Sequence, residues 1–287
     1  MELVSAAYAN DSSTCIDVLN TDTNMDWQQV YHEMTVCNGL VDTCTVLVLR
    51  SDRTEQFIVA FKGTDTGMNS NFKALELIDE LMQTLKQQVN FLNGLVHPYF
   101  YKSFQSVWPQ IQKVLQNRQY SSYSVTFSGM SLGGALAALS AGYTVDQRIR
   151  QSSQVILRTF GQPRVGDYKF AKTLDYLVPN SYRVVNKKDL VAHIPPCQPD
   201  MLTGCKRHKR HYFHHGTEVW YPEGCHTDAK YKICSKKREA PDCSNSVGTG
   251  YSIFDHVGGY FYNAGNFADN DCRLDFMNLV YNTINRS

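Results

Sequence analysis

At 287 residues the chain is long enough for one large α/β domain or two modest ones. Hydrophobic residues make up 43% and charged residues 19%, which excludes a disordered chain. A formal net charge of +1 excludes any general pull toward nucleic acid or an anionic membrane.

Residues 1–35 read as packing helices that end in "MDWQQVYHEM". "CTVLVLRSDRTEQFIVAFKGT" predicts a hairpin, with strand 44–50 joined by a polar turn to strand 56–62. In "NFKALELIDELMQTLKQQV", Leu75, Ile78, Met82, Leu85 and Val89 recur in steps of three and four, which predicts an amphipathic helix over 71–89. "YFYKSFQSVWPQIQKVLQNR" predicts a second helix, with Pro109 an irregularity inside it. "SVTFS" reads as a strand, followed by a sharp turn and a helix over 132–142. "QVILRTFG" is the next strand, "DYKFAKTLDYLV" a helix that ends near Pro179, and "SYRVVN" another strand. Residues 195–250 change to Cys, His, Pro, Gly and Lys/Arg, with "YFHHGTEVWYP" as a candidate strand. A helix around 272–284 closes the chain.

Strands alternate with helices through the middle, which predicts a mixed, mostly parallel sheet with helices on both faces. Neither repeats nor a linker divide the chain, so 1–287 reads as one domain with a cysteine-rich insertion at about 195–250. The uncharged stretch between Arg118 and Asp146 is long enough to span a bilayer. Its Ser, Thr, Tyr and Gly content, and its change from strand to helix pattern at Gly129, exclude a transmembrane segment.

Of nine cysteines, Cys15, Cys37, Cys44 and Cys272 lie near the chain ends, and Cys197, Cys205, Cys225, Cys234 and Cys243 crowd the insertion. Staples around a cysteine-free core point to an oxidising compartment and a secreted protein. No C-x-x-C pair exists, so nothing suggests a zinc site. The sequons at Asn10 and Asn285 are compatible with a secreted glycoprotein. "MELVSAAYAN" lacks the pattern of a signal peptide, so the chain reads as a mature form. Cys37 with Cys44, and Cys234 with Cys243, have hairpin-like spacings. Cys197 and Cys205 would close a further loop, leaving Cys225 over; spacing does not fix the connectivity.

The sharp turn carries the chemistry. "GMSLG", Gly129 to Gly133, fits G-x-S-x-G between a strand and a small-residue helix. Such a turn strains the serine backbone and presents Ser131 at a helix N-terminus, where developing negative charge is favoured. A serine hydroxyl needs a base and an orienting acid. In the α/β-hydrolase order these follow as acid, then His. Asp189 lies just past the end of the strand "SYRVVN", where sheet edges place active groups. His256, in "FDHVGGYF", precedes the final helix. Asp167 rivals Asp189, whereas Asp175 reads as a solvated helix charge. His193, four residues from Asp189, reads as structural, and His208, His211, His214 and His215 as a solvated basic loop. An oxyanion needs two backbone N–H donors. Leu132 follows the nucleophile, and Thr64 follows "IVAFKG".

"VTFSGMSLGGALAALSA" resembles the nucleophile turn of the class 3, fungal-type lipases. "FIVAFKGTD", "VHPYFYKSFQSVW", "TFGQPRVGD", "VVNKKDLVAHIPP" and "DHVGGYF" resemble further segments of that family in the same order. The resemblance covers roughly 30–285, and the insertion is similar to that of a secreted nematode branch. It implies an α/β-hydrolase fold, Ser131 as nucleophile, Asp189 as acid, His256 as base, and Thr64 with Leu132 as oxyanion donors. It also implies a disulfide between Cys15 and Cys272. The implied activity is hydrolysis of glycerolipid esters at a lipid–water interface, with no cofactor, no metal and no nucleic-acid partner; feruloyl-type esters or phospholipids are close alternatives, because the fold does not set the acyl pocket.

Two departures stand out. Met130 replaces the family's His before the serine, an apolar filler that cannot make the same hydrogen bonds. The family's lid is a short amphipathic helix, and helix 71–89 fits either a lid or a core helix. "KRHKRH", 206–211, reads as a solvated loop, with a patch that binds anionic lipid headgroups or glycans as the alternative. The rival function is a non-catalytic lipid- or partner-binding protein, for which Met130 is the only feature.

Overall fold

The computed structural model describes residues 2–9, 11–38, 42–63, 78–79, 81–197, 199–200, 204–206, 211–226, 228–235, 238–257, 259–261 and 272. Thr64, both sequon asparagines, the middle of "KRHKRH" with His208, most of the closing helix and residues 71–77 lie outside them.

Eight strands form the main sheet in chain order: β1 (Gln28–Asn38), β2 (Asp42–Ser51), β3 (Gln56–Phe61), β4 (Ser124–Met130), β5 (Val155–Phe160), β6 (Ser181–Asn186), β7 (Thr217–Tyr221) and β8 (Lys232–Ile233). β1 to β3 alternate in direction, β3 to β7 run parallel, and β8 returns antiparallel. Helices α1 (Ser12–Thr23), α2 (Pro98–Leu115), α3 (Leu132–Asp146) and α4 (Tyr168–Leu177) cover it.

The side-chain period of two divides β2 between both layers. Val46 and Val48 join Val59, Phe127 and Leu157 in a core with α2, α3 and α4. Leu47 and Leu49 join Ile58 and Ala60 in a second core with Ile16 and Leu19 of α1. A strand buried on both faces reads as a continuous apolar run, which is what "TVLVL" is. α3 is apolar on every side and is buried along nearly its whole length. β4 and α3 therefore account for most of the uncharged stretch 119–145, and no helix among the described residues is long and apolar enough to cross a membrane.

Two elements differ from the sequence reading. Residues 28–35, read as the end of a helical segment, lie in β1, which runs on to Asn38. Pairing with β2 and the Cys37–Cys44 disulfide hold them extended, and this tertiary partner outweighs local helix preference. The stretch 71–89 is helical at 78–79 and 81–83, but Val89–Phe91 is a strand paired with Gly94–Val96. α2 runs through Pro109, which lies inside the helix as expected.

Four disulfides join Cys15 to Cys272, Cys37 to Cys44, Cys197 to Cys205 and Cys234 to Cys243. Cys225 is a buried free thiol. Within the insertion, Tyr212–Phe213 pairs with Gly166–Asp167, while β7 and β8 extend the main sheet.

Candidate active site

Ser131 stands alone between β4 and α3, with φ 56° and ψ −127°. A non-glycine residue at positive φ is strained, and here the close packing of strand against helix imposes it. A Cβ on Gly129 would lie 2.2 Å from the Gly133 carbonyl oxygen, and one on Gly133 would lie 2.4 Å from that of Phe61. Only glycine at both positions lets β3, β4 and α3 approach closely enough to make the turn. The Ser131 N–H donates to the Phe160 carbonyl at 2.9 Å, which ties the turn to β5. Leu132 begins α3, so its N–H has no acceptor within the helix.

The loop after β3 runs against this turn. A Cβ on Gly63 would lie 3.2 Å from the Ser131 Cβ. The Gly63 N–H donates to the Tyr8 hydroxyl at 2.9 Å. The next residue is Thr64, outside the described part. Met130 is buried beside Val4, Tyr8, Phe160 and Tyr260. That pocket is apolar, so a methionine fills it without leaving a polar group unsatisfied.

Asp189 is fully buried just past β6. Its Oδ1 accepts from the Val191 N–H at 2.7 Å and the Ala192 N–H at 3.4 Å. Its Oδ2 accepts from His256 Nδ1 at 2.8 Å and from the Tyr260 hydroxyl. Burial alone would push this carboxyl up. The neighbouring His256 and the hydrogen bonds from His256 and Tyr260 hold it below its ordinary value instead. His256 sits on the single turn Phe254–Val257, and Asn186 fixes that turn by donating to the Asp255 carbonyl at 2.8 Å. Ser252 pairs with the backbone of Lys188 and Leu190, bringing the two segments side by side.

Gly161 joins the two halves. It follows Phe160, has φ 55°, and a Cβ there would lie 2.8 Å from Asp189 Oδ2 and from His256 Nδ1 and Cε1. Ser131 and the Asp189–His256 pair thus flank the end of β5. The Ser131 hydroxyl is not hydrogen-bonded to His256 here. In resting enzymes such contacts are commonly long and close around the substrate.

The other candidates have structural work. Asp167 caps α4, accepting from the Phe170 N–H at 2.9 Å and the Leu95 N–H at 3.1 Å. Asp175 is no solvated charge: it accepts from the Gly216 N–H and pairs with Arg238, each at 2.6 Å. His193 stacks on Tyr251 and bonds the Asp189 carbonyl through Nδ1 at 2.7 Å. His214 and His215 are buried rather than solvated. Burial and Arg183 push both imidazoles down, His215 to about 3, so each is neutral. Gly161, Tyr260, Asn186 and Tyr8 went unread in the sequence. Tyr260 carried one local signal, its position four residues after His256.

The lipase (class 3) family model matches residues 58–199. A Caenorhabditis elegans lipase is 31% identical over 95% of this chain and 80% of its own length. The chain belongs to the class 3 lipase family. A Rhizomucor miehei lipase is 30% identical over 79% of this chain, which spans 58% of that relative. A solved triacylglycerol lipase, described as having a serine-protease triad at its catalytic centre, superposes with a TM-score of 0.67 at 27% identity, covering 92% of this chain and 94% of its own. This class 3 lipase therefore has the α/β-hydrolase fold and is an ester hydrolase.

Proposed function

We propose that Ser131 is the nucleophile, His256 the base and Asp189 the orienting acid of a triacylglycerol lipase. The observation that supports this most is the buried Asp189–His256 hydrogen bond, across Gly161 from a serine with strained backbone. His256 takes the Ser131 proton as the hydroxyl attacks the ester carbonyl, and returns it to the departing alcohol. Water then attacks the acyl-enzyme by the same route. The Leu132 N–H and Thr64 serve the oxyanion, a role for which the approach of Gly63 to Ser131 gives support. Four disulfides favour a secreted enzyme that works on lipid outside the cell.

The test compares p-nitrophenyl butyrate, emulsified triglyceride and phosphatidylcholine vesicles, using disulfide-intact protein. Triglyceride is expected to be hydrolysed faster than phospholipid. Phospholipid preferred over triglyceride would overturn the substrate class, and no turnover of any ester would overturn the activity.

Tyr260 gives a finer check. Burial and the neighbouring Asp189 push its phenol well above the ordinary value, so it remains a hydrogen-bond donor. A bond to a charged acceptor contributes about 1.5–3 kcal/mol. Tyr260→Phe is therefore expected to lower kcat about tenfold with KM little changed, measured by steady-state kinetics on p-nitrophenyl butyrate. An unchanged kcat would show that His256 and the loop N–H groups alone hold the carboxylate.

A further inference from the structure

Arg164 and Glu239 are both buried, with side chains 2% and 1% exposed, yet they lie 75 residues apart in sequence. They meet fork to fork: Nε donates to Oε1 at 2.8 Å and Nη2 to Oε2 at 2.9 Å. Such bidentate pairs are strong and fix orientation as well as distance. The remaining nitrogen, Nη1, donates to the carbonyls of His193 and Pro195, the latter at 3.0 Å. The Arg164 backbone N–H adds a bond to the Ile194 carbonyl at 2.8 Å.

Those carbonyls belong to the segment that begins at Asp189. His193 reaches back to the Asp189 carbonyl, and the N–H groups of Val191 and Ala192 hold Asp189 Oδ1. Glu239 is itself fixed from the insertion. It accepts from the His214 N–H at 2.8 Å and from Asn245 at 3.2 Å. It also lies inside the loop closed by Cys234–Cys243. His214 grips the same segment again, bonding the Ala192 carbonyl at 2.7 Å. These contacts run from the insertion to the carboxylate beside His256.

We propose that Arg164 positions the segment carrying Asp189 for catalysis, and that the cysteine-rich insertion sets this position through Glu239. The inference rests on Asp189 being the catalytic acid. Arg164 touches no reacting atom and is a positioning residue, and a displacement of about 1 Å far from the chemistry can cost 10²-fold in rate.

A simple loss of one partner would leave a buried charge, which is strongly destabilising. The decisive variant therefore replaces both, Arg164→Met with Glu239→Met, which removes the two charges together and fills the volume with apolar side chains. Its kcat on p-nitrophenyl butyrate is expected to fall about 10- to 100-fold, with KM within about twofold. The downfield proton NMR signal of the His256 Nδ1–H is expected to shift or broaden, which a merely structural pair would not cause. Arg164→Lys keeps the charge but cannot span the carboxylate and both carbonyls, and is expected to lose about tenfold in kcat. Glu239→Gln leaves the Arg164 charge without its counter-charge and turns an amide N–H toward the guanidinium, and is expected to lose about tenfold in kcat.

A folded double variant with wild-type kcat and an unmoved NMR signal overturns the proposal. If the double variant does not fold, wild-type values in Arg164→Lys overturn it equally. Failure of both to fold, with Glu239→Gln unaffected, makes the pair structural only and also overturns it. Asp189→Asn measured in parallel separates this from the assignment of the acid: full turnover there would remove the acid itself.

Discussion

Ser131→Ala is expected to lower kcat for ester hydrolysis about 10⁶-fold, the loss seen when a nucleophile is removed from a serine hydrolase. The residual rate would come from the oxyanion donors and substrate binding, which Ala leaves in place. Folding is expected to survive. Alanine at this position bears the same backbone strain as serine, and the turn is set by Gly129, Gly133 and the Ser131 N–H bond to Phe160 rather than by the hydroxyl. The melting temperature should therefore stay within about 3 °C, since a few tenths of a kcal/mol shifts a chain of this size little. Steady-state kinetics and a thermal melt read both quantities. More than about 1% of wild-type turnover would remove Ser131 from its role.

Asp189→Asn is expected to cost about 10⁴-fold in kcat, and the hydrogen-bond pattern explains why the amide is a poor substitute. Oδ1 faces two N–H donors, and Oδ2 faces His256 Nδ1 and the Tyr260 hydroxyl. An amide has only one oxygen. If its NH₂ takes the Oδ2 side, it meets His256 and Tyr260 as a donor and forces the imidazole into the wrong tautomer. If the NH₂ takes the Oδ1 side, it meets the Val191 and Ala192 N–H groups and pushes the segment away. Either placement leaves buried donors opposed. The variant is expected to unfold at lower temperature than Ser131→Ala, and the comparison of their melts checks this. Turnover within tenfold of wild type would transfer the acid's role elsewhere.

The residues proposed to react are legible because the chemistry asked of them constrains the sequence locally. A serine at a strand-to-helix turn needs small residues around it, and "SGMSLGG" shows them. Asp189 and His256 follow in an order and at sheet-edge positions that leave few rivals. The packing of those residues was not legible in the same way. Gly161 ends the strand "QVILRTFG" with nothing to mark it, and its need arises from its positive φ and from Asp189 and His256, 28 and 95 residues further on, lying against it. His214 and His215 look like members of a basic loop, and burial beside Arg183 makes them neutral. Asp175 reads as solvated for the same reason, since Gly216 and Arg238 reach it only in the folded chain. β1 was misread because its partner, β2, supplies the order that its own residues do not.

The same contrast explains Met130. In the sequence it stands as a departure from the family's histidine. In the fold it completes an apolar cluster that also holds Tyr8, whose hydroxyl supports Gly63, and Tyr260, whose hydroxyl supports Asp189. The methionine thus packs between two of the contacts that hold the site without taking part in either.

The central claim is that Ser131 attacks the ester carbonyl and carries the acyl group. The most direct measurement is reaction of the disulfide-intact protein with a p-nitrophenyl alkylphosphonate, followed by peptide mass spectrometry. The expected result is a single phosphonyl adduct on Ser131, formed in step with loss of esterase activity and absent in Ser131→Ala. An adduct on another residue, or activity that persists after Ser131 is modified, would contradict it.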